Sequence, residues 1–164
     1  MQTFITTTNG WDEVAKTLDN KRLNKQALEG WQIMLTLLEL DPDGNHRKPK
    51  GWANHPAVKM WAGAEHELLW YVVSMVIEWK KRGYNSTIYD KVMSTYARGV
   101  ATGKTTSKAP QPKWMRNDAK FEAIASSHRT ALLAKNYDWY SQFGWAEDTG
   151  TAPDGYAYIW FTNE

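Results

Sequence analysis

The sequence predicts an all-α fold: a compact bundle of about four to five helices in one domain, residues 1–164, ending in an irregular aromatic C-terminal segment. Three observations carry this. Apolar residues recur with helical period over four long segments. Strand-type alternation is confined to the short run TFITT at residues 3–7. Pro, Gly and Asn punctuate the chain where the periodic segments stop. A chain of 164 residues suits a single domain and is long enough to bury a substantial core.

The first helical segment runs from Trp11 to Leu40, with a break predicted at Asp19-Asn20, because both residue types favour helix N-caps. Leu23, Ala27, Trp31, Met34, Leu35 and Leu38 form its apolar stripe. Asp41 to Pro56 reads as a loop, and Pro56 opens the next helix as its first residue. That helix is predicted to continue to Arg82 and to stop at Gly83. A shorter helix spans Ser86 to Arg98, a basic loop Gly99 to Lys113, and the last long helix Asn117 to Lys135. The ten tryptophans include Trp52, Trp61, Trp70 and Trp79, nine apart. Most are expected in the core, with three or four free to line a pocket where flat bases stack.

Composition narrows the chemistry. There is no cysteine, which excludes disulfides, thiolate metal sites and a cysteine nucleophile. MQTFITTTNGW lacks the basic-then-apolar pattern of a secretory signal. The longest apolar run, LLWYVVSMVIEW, is 12 residues, too short to span a bilayer. A cytoplasmic protein with no membrane partner is expected. His46, His55, His66 and His128 form no close metal-ligand pattern, since His66-Glu67 lacks a second histidine one turn on. GVATGKTT separates its glycines by three residues rather than four and follows no predicted strand, so it is not a phosphate loop. No G-x-S-x-G elbow occurs. Neither a metal nor a cofactor is expected.

Net charge is only +2, but it is unevenly spread. Arg98 to Lys135 carries eight Lys/Arg against Asp118 and Glu122, whereas Asn136 to the end carries five acids and no Lys or Arg. Such a distribution can present a local basic face. Within LDNKRLNKQALEGWQIM, Glu29 is the only carboxylate after Asp19, following Lys21, Arg22, Lys25 and Gln26. Lys25 and Glu29 are four apart and can pair across one turn for only ~0.3 kcal/mol. Helical phase puts Glu29 at the rim of the buried face or outside it. A lone carboxylate among cations also suits N-glycosidic bond cleavage in a nucleic acid, where it stabilises positive charge developing on the sugar while cations hold phosphates.

Three blocks resemble one family, the small phage-type pyrimidine-dimer DNA glycosylases, also called endonuclease V. LDNKRLNKQALEG resembles that family's first helix, with Glu29 where its catalytic glutamate lies. WKKRGYN (79–85) resembles its K-R-G-aromatic-N helix end, and DWYSQFGWA (138–146) its W-Y-x-x-aromatic-G segment near bound DNA. GWANHPAVKMW is similar to a bacterial and phage branch grouped with the family. The resemblance implies a compact all-α glycosylase acting on a damaged or modified pyrimidine in double-stranded DNA, with the base extruded from the stack. Glu29 would stabilise the oxocarbenium-like transition state and move protons. The family's nucleophile is the α-amine exposed by removal of the initiator methionine before a small residue. Here Gln2 is too bulky for that removal, so the Met1 amine is expected to form the imine and permit strand cleavage. Arg22, Lys25, Arg116 and Arg129, with His128, would hold phosphates, and Trp139, Tyr140 and Phe143 would contact the lesion. Leu28 and Gln32 stand where the family has arginines. These departures suit a rival reading, a non-catalytic nucleotide-binding protein on the same scaffold, such as a phage protein that sequesters a nucleotide signal.

Overall fold

The computed structural model describes residues 1–163 and is all helical, with no strand among them. Its helices are α1 (Trp11–Thr17), α2 (Asn20–Leu38), α3 (Pro56–Lys59), α4 (Glu65–Lys81), α5 (Ile88–Ala101), α6 (Asp118–Lys135) and α7 (Tyr137–Tyr140). Short 3₁₀ turns lie at Gly51–Asn54 and Ser141–Phe143. No helix among the described residues is long and apolar enough to cross a membrane.

The first segment breaks where its caps predict. Leu18 is extended and Asp19 is the N-cap of α2, so the apolar faces of α1 and α2 turn onto the same core. Arg82, at the C-cap of α4, clasps this joint. Its guanidinium donates to the carbonyls of Leu18 (2.7 Å), Ala15 (3.2 Å) and Lys16 (3.3 Å) and to Asn20 Oδ1 (3.0 Å). Three of these are backbone carbonyls at the end of α1, where helical acceptors run short of N–H partners; Ala15 O also accepts the Leu18 N–H at 3.2 Å. The other side of the joint is held by Trp139, whose indole donates to Thr17 O at 2.8 Å, and by the Tyr140 hydroxyl on Asp19.

The helix expected from Pro56 to Arg82 is instead two. His55 caps α3, its Nδ1 accepting the Ala57 N–H at 3.1 Å, and the chain then turns before α4 begins at Glu65. Gly63 takes a left-handed φ of 74° in that turn, and the Glu65 carboxylate accepts its N–H at 3.0 Å. The turn lets Trp61 point inward, fully buried against Trp11, Tyr71 and Trp114 at ring separations of 5.3–5.8 Å. Trp11, Trp31, Trp61 and Trp114 are buried, whereas Trp52 and Trp70 are 40% and 49% exposed. The nine-residue spacing therefore does not describe one core face. Gly83, at φ 92°, ends α4 as expected.

The TFITT run forms no strand pair. Gln2 to Thr6 instead passes, buried and without regular structure, between the helices, and the C-terminal segment returns over it, with the Tyr158 ring 6.2 Å from that of Phe4.

Helix α2 lies close against α4 because Gly30 has no side chain. A Cβ there would meet Val72 Cγ2 at 2.5 Å, and valine has no flexible end to swing aside. Gly30→Ala is therefore expected to lower stability by about 1–3 kcal/mol in urea unfolding, despite alanine's helical advantage. A neutral or stabilising result would mean that the helix pair is not held at this spacing.

Candidate active site

The N-terminal segment has backbone donors and acceptors but no neighbouring strand to satisfy them, so side chains take that part. Phe4 N–H donates to Gln26 Oε1 at 2.7 Å, and Ile5 N–H to His128 Nδ1 at 2.9 Å. The Tyr71 hydroxyl lies 2.7 Å from the Phe4 carbonyl and 2.8 Å from Gln26 Oε1. Arg129 donates to Thr6 O at 3.1 Å, and Trp61 to Thr3 Oγ1 at 3.0 Å. The hydrogen bond with chemical consequence comes at the start of the segment. Gln2 N–H donates to Glu29 Oε2 at 3.2 Å, which delivers the chain's amino terminus to the carboxylate.

Glu29 is 8% exposed, inside the buried face rather than at its rim. Its Oε2 also accepts from Gln26 Nε2 at 3.3 Å, and its Oε1 lies 3.6 Å from Lys25 Nζ. The expected turn-to-turn pair is thus present. With the Lys25 side chain 65% exposed, it contributes at most about 1 kcal/mol and does not explain a buried acid. Glu29 opens on a hollow of about 360 Å³ whose walls include Met1, Gln2, Phe4 and Gln26. Lys21, Arg22, Lys25 and Lys135 bring cations to it, and Tyr156 and Tyr158 close one side.

Four of the residues singled out from the sequence, Met1, Arg22, Lys25 and Glu29, share this hollow. Arg22 is steadied by Asp19 at 3.2 Å. Others do not reach it. His128 is fully buried, burial lowers its pKa to about 3, and its Nδ1 accepts the Ile5 N–H rather than lining the hollow. The side chain of Arg129 is only 12% exposed and is engaged by both oxygens of Glu147, by Glu122 and by Thr6 O, which leaves it little charge for a phosphate. Arg116 is exposed just before the start of α6, about 27 Å of helix from Lys135 at the other end. Trp139 and Tyr140 serve the α1–α2 joint, and Phe143 stacks on Trp145 at 5.4 Å; none of the three lines the hollow.

Besides Phe4, the aromatics at the site are Tyr156 and Tyr158, which no sequence motif singles out. Their spacing of two is the one signal in the sequence, and their rings lie 5.2 Å apart. Lys135 Nζ sits 4.9 Å from the Tyr156 ring centroid, and its hydrogen bond holds that phenol below its ordinary pKa. Burial pushes Tyr158 up. His55 is a second residue that no motif marks. Burial first and then the terminal ammonium lower its pKa, while Glu29 pulls it up, so the imidazole feels both candidate reacting groups. The Ala57 N–H on Nδ1 leaves the His55 proton on Nε2. Gln26, three residues before Glu29 on the same helix, is legible in the sequence only as part of an amide-rich surface.

His128 sets a pH limit on this arrangement. Its folded pKa of about 3 lies below the ~6.5 of an unfolded histidine, so its contribution is complete above pH ~6.5 and is lost as pH falls towards 3. The expected slope from this group is up to about 1.4 kcal/mol per pH unit. His128→Asn keeps an acceptor for Ile5 N–H and should flatten the difference in urea stability between pH 7 and pH 5. An unchanged slope would assign the acid sensitivity to other groups.

Residues 1–91 match the family described as pyrimidine dimer DNA glycosylase. No curated protein and no solved structure matches the chain.

Proposed function

Because the chain belongs to the pyrimidine dimer DNA glycosylase family, we propose that it cleaves the N-glycosidic bond of a damaged or modified pyrimidine in DNA at the Glu29 hollow. The observation that carries this reading is a buried carboxylate bonded to the second residue's backbone nitrogen, beneath a cation-lined opening. A structural acid has no need of a chain terminus. An imine-forming glycosylase needs the two side by side.

In the proposed reaction the terminal amine, as its free base, attacks C1′ while the bond from C1′ to the pyrimidine nitrogen breaks. The base leaves with the bonding electrons and takes up a proton. Glu29 faces the positive charge that grows on the sugar, and its low exposure keeps the attraction strong. Loss of a proton from the amine nitrogen and opening of the sugar give a C1′ imine, from which β-elimination of the 3′ phosphate cuts the strand. Lys21 and Arg22 from the first turn of α2 and Lys25 from the next lie beside the hollow, suited to phosphates on either side of the target sugar. They supply the charge that Leu28 and Gln32 lack. Tyr156 and Tyr158 offer the aromatic surface for an extruded base.

The free amine belongs to Met1, and Met1 lines the hollow. The nitrogen actually bonded to Glu29 belongs to Gln2. Removal of Met1 would turn that same nitrogen into the amine, already 3.2 Å from the carboxylate. The fold thus accommodates imine chemistry from either terminus, and Gln2 disfavours the processed one.

Glu29→Gln preserves shape and hydrogen bonding but removes the charge. It is expected to reduce base release from ultraviolet-irradiated DNA by at least about 100-fold while DNA affinity changes little. Base release near the wild-type rate would exclude the proposed role. Borohydride trapping on the same DNA, followed by intact mass and peptide mapping, is expected to place the adduct on the first residue of the mature chain. A blocked terminus, or an adduct on a lysine, would rule out the terminal-amine route.

A further inference from the structure

A second hollow adjoins the first, and Met1 lines both. It measures about 350 Å³ and lies between α2 and the loop that precedes α3. Its helix wall is Gln32, Leu35 and Thr36; its loop wall carries Arg47, Lys48, Lys50 and Trp52. Three features distinguish it from an ordinary surface groove. No carboxylate lines it. Arg47, Lys48 and Lys50 are exposed and make no ion pair among the described residues, although cations elsewhere, such as Lys104 with Glu39, are neutralised. Trp52 is 40% exposed, its indole tilted against His55 at 4.9 Å in a 3₁₀ turn that holds it beside the cations.

A flat, half-open indole beside unpaired cations is the combination that binds an unstacked nucleotide: the ring takes the base face and the cations take the phosphates. Continuity decides which nucleotide. Met1 lines both hollows, so a strand whose target sugar sits at Glu29 has a direct route over Met1 into the groove. We propose that this groove binds the unpaired nucleotide next to the target in the same DNA strand, so that the protein prefers lesions flanked by single-stranded DNA. Duplex DNA fits the groove less well, because its bases are stacked on one another and present no face to Trp52. The inference rests on the glycosylase reading for the position of the target sugar, but its test does not depend on turnover.

Two fluorescent probes distinguish the outcomes: a fully paired duplex with a tetrahydrofuran abasic analogue, and the same site flanked on its own strand by unpaired thymidines. By anisotropy, wild-type protein is expected to bind the flanked probe more tightly. Trp52→Ala should weaken that probe about tenfold and the paired duplex little. Replacing Arg47, Lys48 and Lys50 together by Gln alters only exposed side chains. It should lower the slope of log affinity against log salt by about 0.7 for each phosphate that is no longer neutralised. Circular dichroism verifies that each variant is folded, and the triple variant decides the matter if Trp52→Ala is not. Equal wild-type affinity for the two probes, or wild-type-like binding by both variants, would overturn the groove assignment. Base release by wild type alongside such binding would leave the glycosylase standing and sink only the groove. Trp52-dependent binding without any base release from irradiated DNA would do the reverse.

Discussion

The structure depends on a backbone segment that is buried without a sheet. Residues 2–6 run through an all-helical core, where each unpaired amide or carbonyl would cost about 1–3 kcal/mol. Gln26, Tyr71, His128, Arg129 and Glu29 answer them, from α2, α4 and α6. Each must be polar, and all but Arg129 are buried, so each looks out of place on the helix that carries it until the segment is threaded between them. The same constraint makes the site. A terminus held along this whole segment has nowhere to wander, and Glu29 receives the first backbone nitrogen after it.

Glu29 itself sits on α2, and α2 is aimed by its joint with α1. Arg82 from the end of α4 and Trp139 and Tyr140 from α7 converge on that joint across more than fifty residues of intervening sequence. The K-R-G and W-Y blocks that resemble the glycosylase family thus meet at the base of the helix carrying the carboxylate. They touch peptide groups and Asp19, so in this chain they orient the site from behind.

Charge is partitioned by the same return of the chain. The acidic tail does not hang free: Glu147 takes Arg129, and Asp148 takes the Tyr137 hydroxyl at 2.8 Å. Part of the basic character of α6 is neutralised there. Cations gather around the Glu29 hollow and along the 47–50 loop, and for a net charge of +2 this placement matters more than the total.

Much of this is legible in the sequence alone. Helical period predicts an all-α chain; the residue types at Asp19-Asn20 mark the break; Gly83 marks the end of α4. These positions are marked by local residue preferences, although the α1–α2 joint itself is held from afar by Arg82, Trp139 and Tyr140. The solitary carboxylate in a cationic stretch points to Glu29, and Arg22 and Lys25 share its hollow because they share its helix. What the sequence does not supply is the partner of each polar group across the fold. His128 and Arg129 look like any exposed cation-bearing pair on α6; only the threaded segment and Glu147 reveal one as a buried acceptor and the other as already paired. Tyr156 and Tyr158 enter the site from a segment whose path no periodicity encodes. Local propensity is written in neighbouring residues, whereas burial and hydrogen-bond partnership are long-range, and for this chain those long-range choices decide which polar residues hold the fold and which remain free to act.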